Sequence, residues 1–186
     1  TVEERWAYEE QRYFDYALRI WDCPKPTIAR VQGACVAGGF MVANMCDLIV
    51  ASDDAFFADP VVRTLSAAAV EVLVHPWVMG LRSAKEFLYT GDRMPAARAH
   101  AIGMVNRVVS RDALEAETQA LAEKIAQTPP FALKLVKRSL NRSFDAQGFR
   151  TALSAHFDVH QLSHVSDEFA RNRGSGLAEA IGRGKA

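Results

Sequence analysis

Gln32-Gly33-Ala34-Cys35-Val36-Ala37-Gly38-Gly39-Phe40 is the stretch on which the fold of this chain turns. Before it, Thr27-Ile28-Ala29-Arg30-Val31 is short and β-branched, the pattern of a strand. After it, Phe40-Met41-Val42-Ala43-Asn44-Met45-Cys46 reads as a buried helix. Asp47-Leu48-Ile49-Val50-Ala51 is a second strand, Ser52-Asp53-Asp54-Ala55 a turn, and Phe56-Phe57 a third short strand. Strand, glycine turn, helix, strand is the order of an α/β protein. Such a turn also has a chemical use. The first N–H groups of a helix have no partner inside it, and the helix dipole adds partial positive charge there. Glycines let a ligand approach that backbone, so the turn suits an oxyanion, as when a thioester carbonyl becomes an enolate. The plainer reading is a tight packing turn that needs no side chains.

Upstream, residues 3–22 form one amphipathic helix with Trp6, Tyr13, Ala17, Ile20 and Trp21 at helical spacing. Its aromatic residues are expected to pack on the body, and Pro24-Lys25-Pro26 ends it. The chain opens Thr1-Val2-Glu3-Glu4 straight into this pattern without Met, so an upstream segment is expected to precede it. Downstream, residues 67–73, 83–89 and 95–102 read as helices, the last closed by Gly103. Residues 104–109 read as a strand. Asp112 is expected to cap a helix reaching about Gln127. Pro130 suits the first turn of a helix to about Arg142. Residues 144–164 read as helix with Gly148 as a weak point, and 172–186, rich in Gly and Arg, as a fraying tail. A soft boundary near Ser110 divides an α/β body, 1–110, from a helical region, 111–186.

Composition excludes several classes. Lys plus Arg number 22 and Asp plus Glu number 22, which leaves no excess charge for nucleic acid or a membrane surface. No apolar run reaches the roughly 18 residues of a spanning helix. Cys23, Cys35 and Cys46 sit in apolar surroundings, an odd count expected to be reduced, buried thiols in a cytoplasmic setting.

The motifs, taken in order, resemble the crotonase family (enoyl-CoA hydratases and isomerases). Lys25-Pro26 leads a strand into Gln32-Gly33, followed by Ala37-Gly38-Gly39 where the family has three glycines, and then Cys46-Asp47-Leu48-Ile49-Val50-Ala51-Ser52. Ala58-Asp59-Pro60 is similar to the family's Gly-Gln-Pro turn, and Ala84 to Gly91 to its helix ending in Thr-Gly. Ile102-Gly103-Met104-Val105-Asn106 is similar to its Gly-Leu-Val-Asn motif, and Pro129 to Lys134 fits the helix that follows. The resemblance runs from about residue 24 to 143. It implies a ββα spiral with a helical C-terminal trimerisation region, the chain here lacking the family's N-terminal strands. It also implies an acyl-CoA thioester as partner, with CoA arriving in the substrate and no separate cofactor or metal. Gly38 takes the place of one of two backbone N–H groups around the thioester oxygen. The other belongs to an upstream Ala-Gly-x-Asp-Leu-type segment that these 186 residues do not contain.

The resemblance breaks at the two glutamates that serve hydration as acid and base. Their positions hold Met41 and Val61, which carry no proton. Ala37, Gly39, Met41 and Val61 are left as substrate-contacting positions. Candidates to replace the acids are Glu71 in the apolar run 67–74, where burial would raise its pKa, Asp59, and His75, a residue type whose ordinary range spans neutrality. Asp47 reads as structural. His156, His160 and His164 lie on one helical face at i, i+4, i+8 and are expected to face solvent or an interface, since two histidines make a zinc site only with a converging third ligand. Lys134, Lys137 and Arg138 read as a solvated face. Cys35 is too apolar in setting to be a nucleophile. Two functions follow: an acyl-CoA enzyme of hydratase or isomerase type with a displaced acid–base group, or a non-catalytic acyl-CoA-binding or oligomer-forming member. A homotrimer or dimer of trimers is expected in either case.

Overall fold

The computed structural model describes residues 1–174. Two three-stranded sheets form as the chain alternates between them. β1 (Ile28–Val31), β3 (Leu48–Ser52) and β6 (Arg107–Val109) lie parallel in the order β1-β3-β6. The second sheet is β2 (Ala34–Val36), β4 (Phe56–Ala58) and β5 (Met94–Pro95) in the order β2-β4-β5, with β5 antiparallel. Each pass lays one strand in each sheet and then a helix: β1, β2 and α3 (Gly38–Met45), followed by β3, β4 and α4 (Val61–Leu65). The α/β body expected from the glycine turn is present. What pattern reading lacked is β2, because three residues inside a small apolar run carry no alternation.

The N-terminal helix is continuous but not uniform. α1 (Val2–Glu9) passes through π-helical turns at Glu10–Asp15 into α2 (Tyr16–Trp21). Thr1 starts it with a reciprocal capping box to Glu4. Its aromatic stripe packs against α10 (Phe149–Ser163): Trp6 meets Phe157 edge-on at 5.2 Å and Trp21 lies 4.6 Å from Phe149. Tyr13 leaves the stripe and stays partly exposed.

Residues 67–73 are not helical, contrary to expectation. Ser66 and Ala69 have φ of +57° and +59°, and backbone groups of the segment bond to side chains elsewhere in the chain. α5 (His75–Met79) and α6 (Leu81–Thr90) follow; Gly91, φ +65°, closes α6 by donating its N–H to the Phe87 carbonyl. α7 (Ala96–Ala101) comes next. The strand expected at 104–109 shrinks to β6, because Asn106 pairs with Ile49 by its N–H and, through Oδ1, with the Ile49 N–H instead of continuing a ladder. A 3₁₀ turn, Arg111–Ala113, replaces the expected Asp112 cap before α8 (Leu114–Ala126). α9 (Pro130–Ala146) begins on its proline and runs past Arg142. Residues 144–146 belong to α9 and not to the following helix as expected, and α10 starts only after Gly148, φ +97°. Helix resumes at 167–174. The tail expected to fray over 172–186 lies largely outside the described residues. No helix among them is long and apolar enough to cross a membrane.

A polar hub ties α9 to the body. Asp47 Oδ2 accepts from the Thr27 N–H at 2.6 Å, the Thr27 hydroxyl at 2.9 Å and Lys137 Nζ at 2.7 Å. Lys137 also donates to the Lys25 carbonyl at 3.1 Å. Asp47 is thus structural, as expected, whereas Lys137 does not belong to a solvated face: it is 7% exposed. Cys35 is buried, but Cys23 and Cys46 are only half-buried. Removing one partner from a buried ion pair leaves the other charge uncompensated, at a cost of about 3–5 kcal/mol. Asp47 keeps some solvent contact, so Lys137→Ala is expected to lower the urea unfolding free energy by about 3 kcal/mol. A loss below about 0.5 kcal/mol would show that the hub is not what fastens α9.

Candidate functional site

The glycine turn delivers its backbone to a cavity. Ala37 precedes α3 with φ +48° and ψ −112°, a conformation that costs a residue with a Cβ about 1–3 kcal/mol. The Ala37 N–H donates to the Ala58 carbonyl at 2.9 Å, and its own carbonyl accepts from the Met41 N–H, so the turn is anchored on both sides. Gly38 is the first residue of α3, and its N–H has no partner within the helix. A Cβ built on Gly38 meets nothing within 4 Å.

The cavity measures about 620 Å³, within the range of small-molecule sites. Ala37 and Gly38 form one wall, Val61 and Leu65 of α4 another. The segment 67–71 brings Ala67, Ala69, Val70 and Glu71 to the same space. Arg5, Glu9 and Tyr13 reach it from the N-terminal helix, and His160, His164, Phe169 and Arg173 from the C-terminal side.

Of the anticipated site residues, the structure brings Ala37, Gly38, Val61 and Glu71 together. Gly39 is exposed on the first turn of α3 but is not part of the wall. Met41 is 3% exposed and packs in the core. Asp59 and His75 are fully buried and face each other, His75 Nε2 standing 3.2 Å from Asp59 Oδ2. The His75 ring stacks on Phe40 at 4.5 Å and lies against Phe87. Asp59 accepts the N–H of Val61 at 3.1 Å and of Val70 at 3.2 Å. It therefore shapes two walls of the cavity without entering it.

Glu71 differs from Asp59 because its carboxyl keeps access to the cavity while half-buried. Burial raises its pKa, and the charges of Glu9 and Asp59 push the same way, against a backbone hydrogen bond and the nearby His160. Cys35 is pushed up to about 12 by burial, which leaves its thiol inert as expected.

The histidine face was expected to meet solvent or an interface and instead lies inward. His160 is 3% exposed. His156 donates through Nε2 to the Val70 carbonyl at 2.9 Å, and His160 through Nδ1 to the Ala69 carbonyl at 3.1 Å. Ser163 Oγ accepts the Ala68 N–H at 3.0 Å. Glu9 was not among the anticipated site residues. It looks like an ordinary polar position of an amphipathic helix, and nothing local marks it as a cavity residue.

A spiral of strand pairs and helices, with a helix-start N–H opening into a cavity, is the arrangement of a crotonase fold. The comparisons agree. The family model for enoyl-CoA hydratase/isomerase matches residues 3–177. The chain belongs to the enoyl-CoA hydratase/isomerase family. It is 45% identical over 164 residues to EchA13 of Mycobacterium tuberculosis, a protein named as an enoyl-CoA hydratase, covering 88% of this chain and 52% of that one. A crystal structure from Mycobacterium thermoresistibile described as an enoyl-CoA hydratase superposes with a TM-score of 0.86 at 50% identity, over 88% of this chain and 66% of that one. An enoyl-CoA hydratase/isomerase from Xanthobacter autotrophicus Py2 gives a TM-score of 0.86 at 38% identity, over 98% and 72% of the two chains. This chain spans about half the length of the curated relatives it matches.

The environment of Glu71 has a consequence for stability. A carboxyl that holds its proton more tightly when folded contributes stability that is fully present below its ordinary value of 4.5. That stability is lost as pH rises through the folded value. Glutamine stays neutral throughout. The Tm of Glu71→Gln relative to the unsubstituted protein should therefore rise as pH increases from about 4 to 7. Parallel melting curves across that range would contradict a buried, raised carboxyl.

Proposed function

We propose that this chain handles acyl-CoA thioesters, with the Gly38 N–H receiving the thioester oxygen and Glu71 moving the proton at the neighbouring carbon. The observation that carries the reading is the single cavity that holds both Gly38 and Glu71. Removing a proton from the carbon next to a thioester puts negative charge on the thioester oxygen. An N–H at a helix start, aided by the helix dipole, stabilises that charge more than it stabilises the neutral carbonyl. A carboxyl with a raised pKa is a stronger base once ionised and a usable acid near neutrality. CoA would enter as part of the substrate, and the companion oxyanion N–H would belong to an Ala-Gly-x-Asp-Leu-type segment outside these residues. Val61 stands on the cavity wall at a position where hydratases of the family place an acid, so its methyl groups favour a chemistry other than plain water addition.

A second reading, non-catalytic acyl-CoA binding, is favoured by the apolar Met41 and Val61. We further propose that residues 111–186 serve homotrimer assembly, for which the exposed Phe131, Leu135 and Leu140 of α9 offer apolar surface, and that the protein works in the cytoplasm.

The test is calorimetric titration with a thioether analogue of an acyl-CoA. Valine at position 38 finds free space in the fold and fills the approach to the N–H. Gly38→Val is expected to weaken binding by about 10-fold or more, which is about 1.4 kcal/mol. Glu71→Gln should keep binding and lose roughly 10²–10⁴ of any turnover. Binding without turnover in the unsubstituted protein would move the assignment to the second reading. No binding by folded protein would end both.

A further inference from the structure

From the structure we infer a divalent metal site, of the zinc class, formed by Glu9, His160 and His164 on the wall of the cavity. One ligand atom from each residue lies within 4.8 Å of the others. Glu9 Oε2 is 3.5 Å from His160 Nε2 and 3.6 Å from His164 Nδ1. Two ligands bound at about 2.0–2.1 Å to a tetrahedral ion stand about 3.3–3.4 Å apart, so both pairs are within a few tenths of an ångström of the required edge.

The second independent observation is the orientation of the His160 ring. Its Nδ1 faces the Ala69 carbonyl at 3.1 Å, and a carbonyl only accepts. The proton of the neutral ring is therefore fixed on Nδ1, and the lone pair belongs to Nε2, 3.5 Å from Glu9 Oε2. That Nε2 is buried and has no hydrogen-bond partner, and neither has His164 Nδ1. A backbone carbonyl holding the far nitrogen of a ligating histidine is the usual outer support of such sites. Glu9 has its own support: Gln161, buried beside His160, donates its side-chain amide to Glu9 Oε2.

Three protein ligands leave a fourth position, and the side not occupied by protein is the cavity itself. Histidine, histidine, glutamate and one open position is the ligand set of catalytic rather than structural zinc. The charged groups facing this space are Arg5 and Arg173 on one side of the balance and Glu9 and Glu71 on the other. An ion with an anionic fourth ligand would therefore be tolerated. Histidines four apart on a helix were legible as a possible half-site; the converging third ligand comes from α1, about 150 residues earlier in the chain.

The competing structure is a plain ion pair between protonated His160 and Glu9. Burial disfavours the charged ring, yet the neighbouring carboxylates of Glu9 and Glu71 outweigh it and raise the His160 pKa. The experiment separates the two without any CoA ligand, so its result stands apart from the thioester reading. The protein is stripped with a chelator, dialysed against zinc or cobalt(II), returned to metal-free buffer, and its metal content measured. One retained ion per chain is expected, with the visible spectrum of four-coordinate cobalt. Glu9→Gln and His164→Asn, both at half-buried positions, should weaken binding by more than the roughly 10–100-fold that outer-shell changes cost. His100→Gln, outside the cavity, should keep the ion. Folded protein that retains none, or an ion equally held by both ligand variants, would overturn the site and leave the ion pair.

Discussion

The backbone of residues 66–74 satisfies itself at only two tight turns, Ala69 N–H to the Ala67 carbonyl and Val74 N–H to the Val72 carbonyl, and the shape of the cavity depends on what satisfies the rest. With Ser66 and Ala69 in left-handed conformation, the helical ladder that the composition favours is unavailable. Asp59 takes the Val70 N–H from inside the body. His156, His160 and Ser163 engage Val70, Ala69 and Ala68 from α10. Each of these groups would otherwise be a buried polar atom without a partner, at about 1–3 kcal/mol apiece. The segment is held as an open wall between two elements. That placement lets Glu71 reach the cavity while Val72 and Val74 fill the core.

The same arrangement links α10 to the glycine turn through the cavity. Asp59 joins the segment to the start of α4 by accepting the Val61 N–H. The segment then contacts α10, whose Phe157 packs on Trp6 and Phe14 of the N-terminal helix. Elements distant in sequence thus surround Gly38, and no single one of them forms a site alone. The Asp47 hub fastens α9, so both C-terminal helices are held to the body by specific polar bonds as well as by apolar contact.

Much of the fold was legible because its signals are local. β-branched runs marked β1 and β3, glycines marked the turn before α3 and the close of α7, where Gly103 has φ +84°, and Pro130 marked the start of α9. The errors share one cause, which is tertiary partners overriding local preference. Residues 67–73 have good helical composition, but side chains far along the chain claim their amides and carbonyls. Lys137 sits on a polar-looking face, yet its partner Asp47 lies 90 residues away. At the site, Gly38 and Glu71 were readable from a turn and an apolar run. Asp59 and His75 were credible by residue type, and only the structure shows that they face each other inside the core. Glu9 carried no signal, since what makes it part of the cavity is the packing of α1 against α10.

The central claim is that Gly38 and Glu71 act together on the carbon beside a thioester. Proton NMR of a saturated acyl-CoA with the protein in D₂O measures that step alone. The account predicts loss of the signal from the hydrogens next to the thioester, slowed by about 10²-fold or more in Glu71→Gln. Ligand that binds at the cavity while those hydrogens persist at the uncatalysed rate would contradict it.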